Sequence, residues 1–141
     1  MAWLTHRPIG LTYSDPDAFA GYTIFCSVTG HHATMVDMDG QVVHQWHHEE
    51  GIQHLKLLES GNLLIQTCPL KDAGGREHSG GSAGAMIELT PTGETVWENR
   101  DIAQHHDYTR LENGNTVYLA WEPIPLEISS QIKGGHHHDE D

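Results

Sequence analysis

Short runs that alternate apolar and polar residues, separated by glycine-containing turns, make up most of this chain. Residues 33–46 contain two such runs around Gly40, and residues 105–119 contain two more around Asn113 and Gly114. Asn and Gly accept the positive backbone angles that a two-residue hairpin needs, and alternation with a period of two is typical of half-buried strands. Each stretch therefore predicts a β-hairpin.

Helical periodicity is nearly missing from the pattern. A short helix is expected only after Pro125, within residues 122–132. Residues 1–20 carry Pro, Gly and Asp turn signals and predict an irregular N-terminal segment. Residues 122–141 predict a connection to a missing blade and a polar tail, which leaves residues 21–121 for the strands.

The strand pattern recurs after 53 residues, because residues 36–67 align without gaps on residues 89–120. The identical pairs are Gly40/Gly93, Val43/Val96, Leu58/Leu111, Glu59/Glu112, Gly61/Gly114 and Asn62/Asn115. Repeats of roughly this length with turns in phase are typical of solenoids and propellers, and four antiparallel strands per repeat form a propeller blade. We therefore predict an all-β fold, a β-propeller segment of about two four-stranded antiparallel blades in an incomplete ring. A solenoid or a meandering barrel is the alternative.

Such a segment leaves two sheet flanks uncovered, and uncovered edges favour association. Either several copies of the chain complete a ring as a homo-oligomer, or further propeller blades belong to a longer protein.

Composition narrows the choice of partners and compartment. Twenty acidic and seven basic residues give a net charge of −13 with neutral histidines. Nucleic acid is not an expected partner, because this charge repels phosphate. The sequence holds no apolar run long enough to span a membrane and no secretion signal at residues 1–8, so the expected compartment is the cytoplasm.

Cys26 and Cys68 are either buried free thiols or a disulfide pair.

The glycine-rich stretch at residues 73–84 separates two strand runs. It lacks the Gly-Lys-Ser/Thr ending and the following helix of a phosphate loop. Two interpretations remain: a flexible connection, or a backbone that must approach a ligand or a neighbouring blade closely.

Several motifs resemble the N-terminal part of arylsulfotransferase-like proteins, over roughly residues 8–135. The most specific is the histidine-led stretch His105-His106-Asp107-Tyr108-Thr109-Arg110-Leu111-Glu112-Asn113-Gly114-Asn115-Thr116. The other motifs are Gly21-Tyr22-Thr23-Ile24-Phe25, Val36-Asp37-Met38-Asp39-Gly40-Gln41-Val42-Val43-His44-Gln45-Trp46, Gly61-Asn62-Leu63-Leu64, Thr95-Val96-Trp97-Glu98 and Trp121-Glu122-Pro123.

The resemblance implies a propeller of about six blades with a central funnel lined by histidines. In the family, a sulfuryl group passes from a phenolic sulfate to a phenol through a sulfated histidine, without metal or nucleotide. That nucleophile lies in later blades, so the resemblance implies that this chain alone has an incomplete site. By motif position, His106 resembles a funnel histidine, with His105 or Asp107 beside it. The corresponding place in the earlier repeat is Gln53, next to His54.

Histidine suits this chemistry, because neutral imidazole is nucleophilic near pH 7 and a protonated partner can donate to the leaving phenolate. We therefore assign His106, His105 and Asp107 as catalytic candidates. The alternative is that His106 is a structural histidine and that Asp107 caps a strand. Tyr108 and Trp121 are candidate aromatic walls for a phenolic substrate, and we add His54 to the substrate-binding candidates. No cofactor and no metal are expected.

Two further hypotheses compete with the enzyme. The histidine clusters at residues 31–32, 47–48, 105–106 and 136–138 offer metal ligands, but none has an established zinc spacing. Adjacent strand residues point to opposite faces, so His105 and His106 are not expected to share one metal. The other hypothesis is a non-catalytic propeller fragment that self-assembles or binds another protein through its exposed flanks.

Overall fold

The computed structural model describes residues 10–69 and 81–133, which form nine strands and one short helix. The predicted all-β fold is confirmed, and the short helix follows Pro125 as predicted. The remaining residues, including the polar tail and most of the glycine-rich stretch, lie outside the described part. The elements are β1 (Thr23–Cys26), β2 (Gly30–Val36), β3 (Val42–Ile52), β4 (His54–Leu57), β5 (Leu63–Gln66), β6 (Met86–Leu89), β7 (Thr95–Asn99), β8 (Gln104–Arg110), β9 (Thr116–Ala120) and α1 (Leu126–Ser129).

The strands form three antiparallel sheets, and none of these closes on itself. The first sheet has the order β1-β2-β3, the second β4-β5-β6-β7, and the third β8-β9. The strands follow the repeat, since a shift of 53 residues carries Ala33 of β2 onto Met86, the first residue of β6. The same shift carries β4 onto the second half of β8 and β5 onto β9.

The turns differ from the predicted two-residue hairpins. At the last one, the Leu111 amide donates to the Asn115 carbonyl at 2.8 Å and the Gly114 amide donates to the Leu111 carbonyl at 2.9 Å. Gly114 has a φ of 84°, whereas Asn113 is not among the described non-glycine residues with positive φ. This is the longer loop in which a type I turn ends on a left-handed glycine, so only the glycine needs positive φ. The turns at Gly40, Gly61 and Gly93 repeat it.

The main apolar core lies between the first and second sheets. Trp46 anchors it, because its ring is buried and its indole N–H donates to the Thr90 carbonyl at 3.0 Å. Aliphatic side chains from alternate strand positions fill the rest of the layer, as expected for sheets packed face to face. The buried members are Ala33, Trp46, Ile52, Leu63, Ile65, Ala85, Ile87 and Leu89.

A smaller layer joins the second and third sheets. Its buried apolar residues are Leu64, Met86 and Tyr108. Arg110 of β8 binds the Glu88 carboxylate at 2.7 Å, and its guanidinium lies 4.4 Å from the Trp97 ring centroid. This layer places β8 beside β4.

Within residues 10–69 and 81–133, the structure has no helix long and apolar enough to cross a membrane.

Glu50 supplies a pH-dependent link between the first and second sheets. Its carboxylate accepts two hydrogen bonds from Arg100, at 2.8 and 3.1 Å, and one from the Thr67 hydroxyl at 3.2 Å. The Arg100 hydrogen bonds lower the pKa of Glu50 below 4.5, against an opposing effect of burial. A lowered pKa in the folded protein stabilises the fold above the unfolded value, and this stability is lost as the pH falls.

We expect Glu50→Gln to reduce the free energy of unfolding at pH 7 by up to about 1 kcal/mol. Because glutamine does not titrate, the melting temperature should also depend less on pH between about pH 5 and pH 3. Thermal melts across this range measure both effects. Glu49→Gln is the matched control, since the Glu49 side chain is 90% exposed. Equal pH profiles for wild type and Glu50→Gln would contradict the expectation.

Candidate functional site

The start of β8 contains a bulge at the residues that the sequence singled out. His105 pairs with Leu119, but the next pair is Tyr108 with Tyr118, so His106 and Asp107 have no partners on β9. His106 has a φ of 55° and is one of two non-glycine residues with positive φ in the described part of the chain. A left-handed conformation costs a non-glycine residue about 1–2 kcal/mol, and such strain is common at functional sites.

The bulge brings the two imidazoles together. The Nδ1 atoms of His105 and His106 are 2.9 Å apart, and the rings meet edge to face with centroids 5.1 Å apart. The prediction that strand alternation separates these two side chains is therefore wrong. Alternation requires regular strand geometry, and the positive φ of His106 interrupts it.

A hydrogen bond between the two Nδ1 atoms fixes opposite tautomers in a neutral pair. One ring carries its proton on Nδ1 and donates, so its Nε2 keeps a free lone pair. The other ring accepts at Nδ1 and carries its proton on Nε2. The pair thus offers one basic and nucleophilic nitrogen and one N–H donor, whichever ring donates.

Gly81 packs directly against the His106 ring. The His106 amide donates to the Gly81 carbonyl at 2.8 Å, and a Cβ built on Gly81 would lie only 2.4–2.6 Å from ring atoms of His106. Gly84 is equally constrained, because its Cβ would lie 2.4 Å from the Cys68 carbonyl oxygen. At Gly81 and Gly84, the structure supports the interpretation that the backbone approaches a neighbouring segment closely. Residues 73–80 lie outside the described residues.

Trp121 supports the other ring of the pair. Its indole stacks on the His105 imidazole with centroids 4.3 Å apart and an interplanar angle of 32°. The Trp121 amide donates to the Ala103 carbonyl at 2.8 Å, which fixes the backbone at this point. Trp121 as a whole is 38% exposed. We name His105, His106 and Trp121 the histidine site.

Asp107 is held by a lysine that sequence reasoning missed. Lys56 of β4 donates to the Asp107 carboxylate at 2.7 Å and also to the Tyr108 carbonyl. The Lys56 hydrogen bond, followed by one from the Tyr108 amide, lowers the pKa of Asp107. The Asp107 carboxylate is therefore ionised at neutral pH, and its hydrogen bonds go to these two residues. No motif marks Lys56, because its partner comes from the next repeat.

Tyr108 lies in the interior, and His54 is half-buried beside it. Tyr108 is 2% exposed, and its hydroxyl donates to the Leu64 carbonyl at 2.7 Å. Burial raises the pKa of this hydroxyl. The His54 ring packs edge-on against Tyr108 with centroids 5.3 Å apart. The two residues thus pack against each other, and their assignment to substrate binding stays a prediction.

Within residues 10–69 and 81–133, the other histidines and the cysteines form no comparable centre. His32 and His47 face each other across β2 and β3 with ring centroids 4.9 Å apart, on an exposed part of the first sheet. In the described ranges, no three His, Cys, Asp or Glu side chains are grouped so that they could hold a metal ion. Cys26 and Cys68 are free and half-buried, and burial raises the pKa of each thiol.

Neither the models of known protein families nor the curated proteins give a match to this chain. The resemblance to arylsulfotransferase-like proteins thus stays a prediction from motifs. What the chain can do is argued below from the geometry of β8 and its neighbours.

Proposed function

We propose that this chain is a β-propeller segment whose histidine site transfers a sulfuryl group between phenols. The observation that carries the proposal is the 2.9 Å contact between the Nδ1 atoms of His105 and His106. It gives one site both a nucleophilic nitrogen and a proton donor, so we assign the nucleophile to this segment and not to a later blade, where the resemblance places it. The indole of Trp121, an exposed residue, lies beside the pair and adds a surface on which a phenol ring can stack.

The arrangement of the sheets supports the propeller. The second sheet begins with the edge strand β4 and the third with the edge strand β8, and the 53-residue shift carries β4 onto the second half of β8. Lys56 and Asp107 join these two edge strands directly. In a propeller, the first strands of successive blades stand side by side around the axis. The histidine site would then lie at the mouth of the central funnel, and further sheets would form the rest of its wall.

The reaction balances without a redox or nucleotide co-reactant. The Nε2 lone pair of one imidazole attacks the sulfur of an aryl sulfate, and the bond between sulfur and the aryl oxygen breaks as the N–S bond forms. The attack leaves a positive charge on the first ring, whose Nδ1 proton passes to Nδ1 of the other imidazole, and that imidazole gives its Nε2 proton to the departing phenolate. In the second step the acceptor phenol gives its hydroxyl proton to Nε2 of that imidazole, and the Nδ1 proton returns to the first ring. The phenol oxygen attacks sulfur as the N–S bond breaks. One aryl sulfate and one phenol are consumed, and one of each is formed.

Two structural features suit an anionic ester. Lys56 provides a cation at the neighbouring strand, although Asp107 neutralises much of its charge. The amide of His106 is already bonded to Gly81, so the one free imidazole N–H of the pair is the donor that the two histidines offer to a sulfuryl oxygen. Affinity is therefore expected to depend on the two rings and on the indole.

Binding can be tested by titrating the protein with 4-nitrophenyl sulfate and following imidazole and indole signals by NMR. We expect changes in the signals of His105, His106 and Trp121, and their loss in His106→Ala. His32→Ala is the matched control, because His32 is exposed and distant in the sequence. The proposal fails if these three residues do not respond, or if His106→Ala responds as the wild type does.

A further inference from the structure

Buried polar atoms without a hydrogen-bond partner are concentrated in one layer of this protein. The carboxamides of Gln66 and Gln104 are the clearest cases, because both residues are 0% exposed and neither the nitrogen nor the oxygen of either side chain has a partner. Within residues 10–69 and 81–133 the complete set is His54 Nδ1, Gln66 Nε2 and Oε1, Asn99 Nδ2, Gln104 Nε2 and Oε1, and Thr116 Oγ1.

Three of these residues form a row across the second sheet. His54 pairs with Gln66, Gln66 with Met86, and Met86 with Asn99, so the four side chains share one face. Met86 packs against Tyr108 of β8, which shows that this face is directed at the third sheet. A row of four strands is about 14 Å long. The polar groups thus follow one line across the sheet.

The remaining two residues face this row from the third sheet. Gln104 pairs with Ala120, and Thr116 lies two residues before Tyr118 on β9. Because side chains alternate along a strand, Ala120, Tyr118 and Thr116 share a face. Tyr118 packs on the cluster of Leu64, Met86 and Tyr108. Polar groups therefore line both sides of the layer between the second and third sheets.

The layer between the first and second sheets provides the contrast. The polar groups described there have partners, since the Trp46 indole N–H donates to the Thr90 carbonyl and the buried Thr67 hydroxyl donates to the Glu50 carboxylate. None of the unpartnered buried atoms of the described residues belongs to a member of the buried apolar cluster of that layer. The polar layer is therefore a local feature of one interface and not a property of sheet packing in this protein.

The free-energy cost of unpaired buried polar groups indicates which ligand this layer binds. A buried polar group without a partner costs about 1–3 kcal/mol, so several such residues would offset much of the stability of an ordinary domain. Carboxamides offer donors and acceptors in equal number, and the Asp101 carboxylate beside Tyr118 is bound by the Tyr118 hydroxyl at 2.8 Å. These groups match water, which donates and accepts about three hydrogen bonds in protein interiors.

We propose that the layer between the second and third sheets is a binding site for a file of ordered water molecules. Gln66 and Gln104 are its fully buried members, and His54 and Thr116 contribute one buried atom each. The water holds the third sheet, which carries the histidine site, against the second. The inference does not depend on sulfuryl transfer, so either proposal can fail without the other.

Magnetic relaxation dispersion of ¹⁷O water and water-to-protein cross-peaks in NMR spectra test the site. The wild type should show long-lived water and cross-peaks from water to the side-chain amides of Gln66 and Gln104. In the double variant Gln66→Met/Gln104→Met, the dispersion amplitude should fall by at least half. Leu64→Met is the matched control, because it changes an apolar residue of the same layer and should leave the amplitude unchanged.

Two results would overturn the proposal. One is a wild type without long-lived water or without cross-peaks at both glutamines. The other is a folded double variant with an unchanged dispersion amplitude and a higher melting temperature, which would mean that the carboxamides are simply unpaired. Circular dichroism establishes whether the double variant folds. If the double variant does not fold, the wild-type cross-peaks alone test the proposal.

Discussion

Replacing Gly81 with alanine is expected to separate the two imidazoles of the histidine site. The new Cβ would lie 2.4 Å from Cε1, 2.5 Å from Nδ1 and 2.6 Å from Nε2 of His106, so the ring has to move. Its Nδ1 would then lose the contact with His105. Imidazole ¹H–¹⁵N spectra should show that the tautomers of the two rings are no longer fixed against each other.

Gly93→Ala separates the steric effect from the backbone effect. Gly81 and Gly93 have φ angles of 81° and 88°, so alanine meets the same left-handed strain of about 1–2 kcal/mol at both positions. Nothing lies within 4 Å of a Cβ at Gly93. Gly93→Ala should therefore lose stability without any change in the histidine signals. Equal histidine spectra in the two variants would show that Gly81 does not position His106.

The repeat and the order of the strands could be predicted from the sequence, because both depend on local signals. Gly40, Gly61, Gly93 and Gly114 mark the turns, and all four have positive φ. The exact type of turn could not be predicted. The adjacent asparagine in the last turn favours a two-residue loop, but the hydrogen bonds at Leu111 close a longer one.

The candidate site was predicted only in part. The motif located His105 and His106, but regular alternation placed their rings on opposite faces. The bulge that unites them depends on Gly81, which pairs with His106 from a distant part of the chain. Lys56 was missed for the same reason, since its contact with Asp107 forms between repeats. Contacts between sheets carry no local pattern that a single sequence displays.

The burial of Gln66 and Gln104 was not predicted from the sequence either. Gln66 ends a strand of apolar residues and Gln104 begins β8, positions at which an exposed polar residue is the normal expectation. Only the row across the second sheet shows that both face an interior layer. The sequence offered no signal for this, because burial here results from the packing of the third sheet.

The second large effect concerns the reaction itself. His106→Ala is expected to lower the rate of sulfuryl transfer at least 100-fold, since it removes either the nucleophile or the proton donor. His105→Ala should have a similar effect, because each ring needs the other to fix its tautomer. Residues that act as one unit are not additive, so the double variant should be about as slow as either single variant. His32→Ala should leave the rate unchanged.

The central claim is tested most directly by the initial rate of transfer from 4-nitrophenyl sulfate to phenol, with phenyl sulfate identified by mass spectrometry. We predict that the wild type and His32→Ala form phenyl sulfate faster than free imidazole at equal concentration, and that His106→Ala and His105→Ala do not. A wild type no faster than free imidazole would contradict the account. So would a His106→Ala variant that transfers at the wild-type rate.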